Sequence, residues 1–367
     1  MDSLPHDNLD IMQFSDAAIR QSTPFEYTPG EPRPPARCQA CDIASDSLQR
    51  CAGCTAVLYC SRPCQTSQWS SHKNTCKLVR ARRKACEDAE DDLRNAEPDP
   101  FTPPNVFETS VGHFYAIPET RPYMRARYAL AQTLNHLDTV TSLEEALEHG
   151  LDMLRLNRSD ELGMRHQLPP AMVRLGREQE AYDFVKWWVA HADDESHLKD
   201  MPDSPFLDLK NANALEPVDL FVRRKAAGTF ELHSLALIKI RLLLALQSAE
   251  KAVAGAEDCT IQDKIAILAA AHHSSAITRH ADSLLILAED PTPVVDELTR
   301  QVREVVTAVH QANRHLLETM AQPDTDPGTA IASYAEGSRE EAHAARSYSL
   351  RAWRGTPGAL ELLASLR

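Results

Sequence analysis

Eight cysteine and histidine residues fall into four close pairs between residues 38 and 76, and this spacing restricts what the segment can fold into. The pairs are Cys38 and Cys41, Cys51 and Cys54, Cys60 and Cys64, and His72 and Cys76. Because two or three residues separate the members of each pair, a tight turn or one face of a helix directs both side chains at the same ion. Four such pairs predict two sites with four ligands each, and thiolate with imidazole indicates zinc.

The remaining cysteines, Cys86 and Cys259, lie outside this segment and are expected to bind no metal. Residues 1–10 are polar and acidic and do not resemble a secretory signal, so reduced thiols are favoured over disulfides. With four protein ligands, neither ion has a position for a reacting water, which predicts structural zinc. The segment has few apolar residues, and metal binding is expected to supply its folding energy. The alternative to metal binding is that the eight cysteine and histidine residues have this spacing by chance and that the thiols are free.

A helix is predicted to begin inside the segment. Ser61 can cap it, Pro63 falls in its first turn, and no glycine interrupts the chain as far as Cys76. The charged residues that follow are expected to extend the helix to about Asn95. The proline-rich stretch 98–104 then marks a clear break and a linker.

The letters around the ligands read C-Q-A-C, C-A-G-C, Y-C-S-R-P-C-Q and W-S-S-H-K-N-T-C. They resemble the MYND-type zinc finger at every ligand position, and Tyr59, Gln65 and Trp69 match that pattern too. RING and PHD fingers space their ligands differently. The resemblance implies a cross-braced finger. In that arrangement one zinc is held by Cys38, Cys41, Cys60 and Cys64, and the other by Cys51, Cys54, His72 and Cys76.

MYND fingers are protein-interaction modules, so the resemblance implies that a proline-containing peptide of a partner protein binds beside the helix. The peptide-binding positions of the family correspond to Ser61, Gln65 and Trp69. Gln65 and Trp69 are four residues apart and therefore share a helix face. An exposed tryptophan offers a flat surface for proline rings, and glutamine can hydrogen-bond a peptide backbone. The alternative is that Trp69 fills the small interior of the finger.

The chain is acidic as a whole, but its finger segment is basic. Lysines and arginines number 39 against 53 acidic residues, which gives a net charge of −14. Residues 33–84 hold ten basic and two acidic residues, a net +8 that falls to about +5 once seven thiolates and two zinc ions are counted. The rest of the chain is therefore −22. This balance argues against a general nucleic-acid binder, with less force for residues 33–84. The basic run 77–84 is either a nuclear-import or phosphate-contacting patch or a solvated helix end.

Composition favours helix for the remainder of the chain. Twelve glycines and 6% aromatic residues are few for a β-sandwich or barrel. The predicted fold class is an all-α body, built of TPR-like αα-hairpins and a helical bundle, with a small N-terminal two-zinc finger. The predicted domains are a disordered proline-containing arm at 1–37, the finger at 38–76, a charged helix and proline-rich linker at 77–104, the hairpins at 105–200 and the bundle at 201–367.

Two similar segments, offset by 35 residues, suggest the hairpins. Glu145-Ala146 and Glu180-Ala181 each follow a shorter helical stretch, and the second resembles the turn between the helices of a tetratricopeptide repeat. Ser142 is predicted to cap the first of these helices, with Glu145 completing a capping box. Only about two units are visible, so an ordinary helical domain with a chance match is the alternative.

Further helices are predicted from the apolar periodicity and the proline positions. They lie at 121–137, at 163–175 with an interruption at the prolines 169 and 170, and at 230–256, 261–287, 294–320, 340–353 and 357–366. The segments that begin at Arg174 and at Ala352 resemble a group of fungal MYND-finger proteins with a helical C-terminal region. That group has little assigned chemistry, so the resemblance bears on the fold.

No catalytic motif stands out in the sequence. Phosphate-binding glycine loops, HExxH and GxSxG are absent. Methyltransferases that combine a SET domain with a MYND finger need an Asn-His-Ser-Cys-like element and a further C-terminal cysteine cluster, and the chain has neither. We therefore expect a non-enzymatic protein-protein interaction adaptor, cytoplasmic or nuclear, without membrane or nucleic-acid binding. The alternatives are a transcriptional or chromatin cofactor and, with weaker support, a relative of SET-type lysine methyltransferases.

Overall fold

The computed structural model of the chain describes residues 35–97, 99–192, 205–223, 227–254, 259–264, 290–322 and 334–366. Regular structure in these ranges is helical apart from isolated bridges and one antiparallel pair of strands, β1 (Gln49–Arg50) and β2 (Leu58–Tyr59). The predicted fold class, an all-α body with an N-terminal finger, is confirmed. Nearly all of the predicted arm at 1–37 and most of the predicted helix at 261–287 lie outside the described residues.

The helices follow one another along the chain with short connections. They are α1 (Arg62–Arg94), α2 (Arg121–Leu137), α3 (Val140–Leu156), α4 (Leu168–Arg174), α5 (Glu178–Ala190), α6 (Thr229–Ala254), α7 (Thr292–Ala312), α8 (Arg339–Arg354) and α9 (Ala359–Ser365). Shorter helical turns lie at Val106–Thr109, Asp219–Val222 and Leu316–Met320, and 3-10 turns at Phe114–Ala116, Pro118–Thr120 and Met164–His166.

Helix α1 connects the finger to the body. The hydroxyl of Ser61 accepts a hydrogen bond from the Cys64 amide and caps the helix, and a proline occupies its first turn, as predicted. The helix then runs without interruption to Arg94. Its first half supplies metal ligands, and buried residues of its second half, among them Val79 and Leu93, lie on the side that packs against α2.

Two helical hairpins follow. Helices α2 and α3 pack together across a turn at residues 138–139, and α4 and α5 across residues 175–177, where the glycine takes a left-handed φ of 67°. Ala146 and Ala181, the alanines that the repeat aligns, are both buried. The short side chain at these equivalent positions lets neighbouring helices approach closely. The expected hairpins are present in the body.

Helix starts in these hairpins differ in detail from the sequence prediction. The cap of α3 is Thr139 and not Ser142, because the Thr139 hydroxyl accepts from the Ser142 amide and the Ser142 hydroxyl accepts from the Thr139 amide, each at 3.1 Å. Glu145 is therefore not part of a capping box. The prolines at 169 and 170 do not interrupt a helix either. They lie in the first turn of α4, where a missing amide hydrogen costs nothing.

The predicted helix at 294–320 is divided in two at Asn313. The Asn313 backbone is extended, and its side-chain amide donates to Ser338 O at 2.8 Å and to Glu341 Oε2 at 2.9 Å. Its side-chain oxygen accepts from the His315 amide at 3.0 Å. These side-chain hydrogen bonds take the place of the backbone hydrogen bonds of a continuous helix. Sequence periodicity does not reveal them.

Charged groups are buried at the centre of the body and are matched by partners. Lys239 donates from Nζ to Ala214 O at 2.7 Å, Glu216 O at 3.0 Å and Gln301 Oε1 at 2.7 Å, which ties the segment before α6 to α6 and α7. A buried ion pair joins Arg241 of α6 to Glu178 of α5. These contacts link the hairpins and the bundle into one core.

Candidate metal centres and adjoining surface

The eight predicted ligands converge in two clusters, each with all four ligand atoms within 4.8 Å of one another. Site 1 consists of Cys38, Cys41, Cys60 and Cys64, and site 2 of Cys51, Cys54, His72 and Cys76. The cross-braced arrangement that the resemblance implied is therefore confirmed, since each site takes one pair from the loops and one from the region of β2 and α1. The cysteines expected to be bystanders belong to neither cluster.

The spacing of the ligand atoms fits tetrahedral zinc. With Zn–S bonds of about 2.3 Å, a tetrahedral site separates its sulfurs by about 3.8 Å. In site 1, Cys60 Sγ lies 3.6 Å from Cys41 Sγ and 3.5 Å from Cys64 Sγ. In site 2, Cys51 Sγ and Cys76 Sγ are 3.9 Å apart. A disulfide would need about 2.05 Å, so the geometry is that of a shared metal ligand set. Both sites are filled by protein ligands, and the two zinc ions are structural.

The two sites differ in their access to solvent. All four ligands of site 2 are buried, whereas Cys41 is exposed and two other ligands of site 1 are half-buried. Burial raises the pKa of Cys54 to about 12 and lowers the pKa of His72. Burial thus favours the neutral imidazole that binds zinc but disfavours the Cys54 thiolate, so the ion itself must stabilise that thiolate.

A glycine is required in the second loop of the finger. A Cβ atom on Gly53 would lie 2.6 Å from Cys76 Sγ and 3.8 Å from Cys51 Sγ. The first of these distances is a clash with a ligand atom. The backbone of the loop that carries Cys51 and Cys54 therefore passes directly against site 2, and only glycine fits there.

Side-chain hydrogen bonds brace the finger around the two sites. The Tyr59 hydroxyl donates to Gln68 Oε1 at 2.7 Å, and Gln68 Nε2 donates to Gln39 O at 2.9 Å. This chain of contacts fastens β2 and the first ligand loop to α1. The match at Tyr59 was visible in the sequence. The role of Gln68 was not, because it depends on a partner 29 residues away.

The finger is attached to the helical body by contacts that the sequence did not reveal. Arg83 of α1 pairs with Glu145 of α3 and donates to Cys54 O at 3.1 Å. Thr139, the cap of α3, donates to Ala56 O at 2.8 Å. Burial alone would raise the pKa of Glu145, but hydrogen bonds with His149 and Arg83 hold it at about 2. The second zinc loop therefore lies directly on the first hairpin.

These contacts correct the interpretation of the basic run 77–84. The run lies in the middle of α1, which continues to Arg94, so it is not a helix end. Its members also differ in environment, since Arg83 is part of the contact with the body whereas Lys77 and Arg80 are exposed.

The three residues predicted to bind a peptide lie on consecutive turns at the start of α1. Ser61 is occupied as the helix cap, and Gln65 donates from Nε2 to Cys51 Sγ at 3.6 Å. Trp69 remains 45% exposed, with its ring edge against His72 at a centroid distance of 6.2 Å. The interior of the finger is filled by other side chains, such as Tyr59, so the exposure of Trp69 argues against its being a core plug.

Comparison with known proteins supports the assignment of this segment and extends little further. Residues 37–76 match the family model of the MYND finger, which is a protein-interaction zinc finger. The histone-lysine N-methyltransferase ASHR1 of Arabidopsis thaliana is 31% identical over 61 residues, which is 17% of this chain and 12% of that protein. The SET domain and MYND-type zinc finger protein 6 of Schizosaccharomyces pombe is 38% identical over 47 residues, 13% of this chain and 10% of that protein.

These likenesses cover only the region of the finger. The aligned part spans about an eighth of the length of the curated relatives or less. No solved structure matches the chain. Among the described helices, none has the length and apolar character of a membrane span.

Proposed function

We propose that this protein is a zinc-stabilised adaptor. Its finger binds a proline-containing segment of a partner protein around Trp69, and its helical body holds the finger and engages a second protein. A peptide lying along the start of α1 would meet Ser61, Gln65 and Trp69 in turn. We place the protein in the cytoplasm or nucleus, because reducing compartments keep zinc-binding cysteines from forming disulfides.

The exposure of Trp69 is the observation that carries this proposal. A half-exposed indole leaves apolar area in contact with water unless a partner covers it, and proline rings pack well on such a face. Gln65 uses its amide nitrogen on Cys51, and its side-chain oxygen makes no hydrogen bond with the described residues. That oxygen is available to a peptide N–H beside the tryptophan.

Selection from a phage-displayed library of random 12-residue peptides tests the proposal with the full zinc-loaded chain. We expect enrichment of proline-containing peptides. Trp69→Ala should weaken the best of them at least tenfold, since aromatic anchors dominate small interfaces. Phe101→Ala is the matched control, because Phe101 is a 78% exposed aromatic outside the finger.

Zinc content measured on each variant separates loss of binding from loss of folding. Trp69→Ala should retain two zinc ions per chain. Enrichment of peptides without proline, or equal binding by the wild type and the zinc-loaded Trp69→Ala variant, would refute the proposal.

A chromatin cofactor is the second candidate function, because one relative is named a histone-lysine N-methyltransferase. Support for a methyltransferase activity of this chain is weaker. Its Asn135-His136 pair is followed by leucine and aspartate and ends α2, where Asn135 accepts a hydrogen bond from Arg174. We propose that the chain is not an enzyme. Titration calorimetry with S-adenosylmethionine should give no binding heat, and saturable binding would contradict this.

A further inference from the structure

The exposed side of α1 that begins at Trp69 carries a row of cations. Lys73, Lys77 and Arg80 follow the tryptophan at steps of three or four residues, which places all four side chains on one side of the helix. Each of them is exposed to solvent. We refer to Lys73, Lys77 and Arg80 as the basic face. It continues the surface on which the proposed peptide would lie.

Within the described part of the chain Lys73 and Lys77 have no charged partner, and Arg80 interacts electrostatically with Cys76 of site 2. Lys73, Lys77 and Arg80 make no hydrogen bond or ion pair there. Two exposed arginines of the body are, by contrast, paired with carboxylates. Arg300 pairs with Glu297 and Arg223 with Asp219, each at 2.6 Å. In a chain with 53 acidic residues, an unpaired row of positive charge is available to a partner.

The two zinc sites are net negative, and they offset only part of the positive charge of the finger segment. Four thiolates on one ion leave −2, and three thiolates with an imidazole leave −1, yet residues 33–84 remain at about +5 after this correction. Arg80 lies next to Gly53 in the loop of site 2 and partly offsets that cluster. Lys73 and Lys77 are therefore the residues on which a test should rest.

The length of the basic face sets the size of what it can bind. Arg80 follows Trp69 by eleven positions, which corresponds to about 16 Å along the helix axis. An extended peptide covers that distance with about five residues. Beyond Lys84, which pairs with Asp88, the same helix becomes acidic at Glu87. The positively charged stretch of α1 therefore ends about one short peptide length beyond Trp69.

We infer that the partner segment carries acidic residues on one side of its proline, within about five residues of it. Resting on the proposed function, this inference specifies the chemistry of the peptide. The proline packs on Trp69, and the acidic residues lie along Lys73, Lys77 and Arg80. Each exposed pair contributes little by itself, but several in one row add specificity and raise the association rate.

An acidic peptide fits the basic face better than a nucleic acid does. A duplex carries phosphate at every few ångströms over a long distance and would approach the acidic continuation of α1 and a body of −22. A short peptide places its charge only opposite the cations. The tryptophan at one end also suits an apolar or proline residue of a peptide.

The test uses the full zinc-loaded chain and two labelled peptides. One is a proline-containing peptide selected on the wild-type chain, and the other has every Asp and Glu replaced by Asn and Gln. Fluorescence anisotropy gives both affinities for the wild type, for Lys73→Gln/Lys77→Gln and for the matched control Arg300→Gln/Arg303→Gln. The control removes the same charge from the exposed side of α7.

We expect the acidic peptide to bind the wild type about tenfold more tightly than its neutral counterpart at low salt. That advantage should disappear in Lys73→Gln/Lys77→Gln and persist in the control, while Trp69→Ala weakens both peptides. Equal binding of the two peptides to the wild type would overturn this inference and leave the proposed function standing. Failure to select any proline peptide would refute the proposed function itself. Binding of a 12-base-pair DNA that depends on Lys73 and Lys77 and exceeds peptide binding would also overturn the inference.

Discussion

The finger and the helical body are stabilised by different means, and the difference bears on function. All four ligands of site 2 are buried, and the finger has few large apolar side chains beyond Tyr59. The body buries Trp187, Trp188 and Trp353, each no more than 7% exposed. The fourth tryptophan, Trp69, lies on the finger and is 45% exposed. Because metal binding replaces a hydrophobic core in the finger, the ring of Trp69 is not needed in the interior and stays exposed.

Removing zinc should have the largest effect and should separate the two regions. A structural zinc contributes about 10 kcal/mol or more to the folding of a small module. A strong chelator is therefore expected to unfold residues 38–76 and the first turns of α1. The part of α1 that packs on α2 and the remaining helices should stay folded. Circular dichroism with limited proteolysis checks this. Cooperative unfolding of the whole chain, or an intact finger at zero zinc, would contradict the separation.

Breaking the buried ion pair between Arg241 and Glu178 should have the next largest effect. Arg241→Met leaves the Glu178 carboxylate buried without its partner, and such a change costs about 3–5 kcal/mol of unfolding free energy. The pair lies between α5 and α6, away from both metal sites. Denaturant titration should detect the loss, while the zinc content remains two per chain. Arg241→Met/Glu178→Leu should recover part of the stability, and zinc loss in either variant would show that the regions are not independent.

Acid should weaken the body through a buried histidine. His233 Nε2 accepts a hydrogen bond from Trp353 Nε1 at 3.0 Å, and burial lowers the pKa of His233 to about 3. Below pH 6.5 the unfolded chain takes up a proton that the folded chain does not, so stability falls as the pH falls. From pH 6.5 to 5 the loss is about 1.6 kcal/mol. The readout is the slope of unfolding free energy against pH.

His233→Phe provides the comparison for that slope. The variant changes absolute stability as well, because Trp353 loses its acceptor. Only the pH dependence identifies the histidine. A slope unchanged by the substitution would mean that other groups cause the acid sensitivity.

Loosening the contact between the finger and the body should have the smallest effect. Arg83 and Glu145 are both partly exposed, so Glu145→Gln is expected to cost about 1 kcal/mol. A double-mutant cycle with Arg83→Gln isolates the pair. A coupling energy near zero would mean that the hydrogen bonds from Arg83 to Cys54 O and from Thr139 to Ala56 O suffice to hold the finger in place.

Sequence predicted the metal sites well because their chemistry is local. Ligand spacing defined the eight residues, the resemblance gave their pairing, and Ser61 with Pro63 gave the start of α1. The helical class and the hairpins followed from periodicity and from the repeated alanines. These features depend on residues that are close in the chain.

Contacts between distant residues escaped prediction. Glu145 was assigned to a capping box, but it pairs with Arg83, 62 positions earlier. The break at Asn313 arises from bonds to Ser338 and Glu341. In the sequence, Lys239 is a polar residue in a mostly apolar helix. Only the folded structure brings its three hydrogen-bond acceptors next to it. No local pattern specifies such partners, since tertiary packing alone brings them together.

The indole N–H signals of the tryptophans test the central claim most directly. The chain has four tryptophans, so a two-dimensional 15N–1H spectrum of the zinc-loaded full chain should contain four indole signals, and Trp69→Phe identifies one of them. During titration with a selected proline-containing peptide, we expect the Trp69 signal to shift while those of Trp187, Trp188 and Trp353 stay in place. A saturating peptide that leaves the Trp69 signal unmoved would contradict the account.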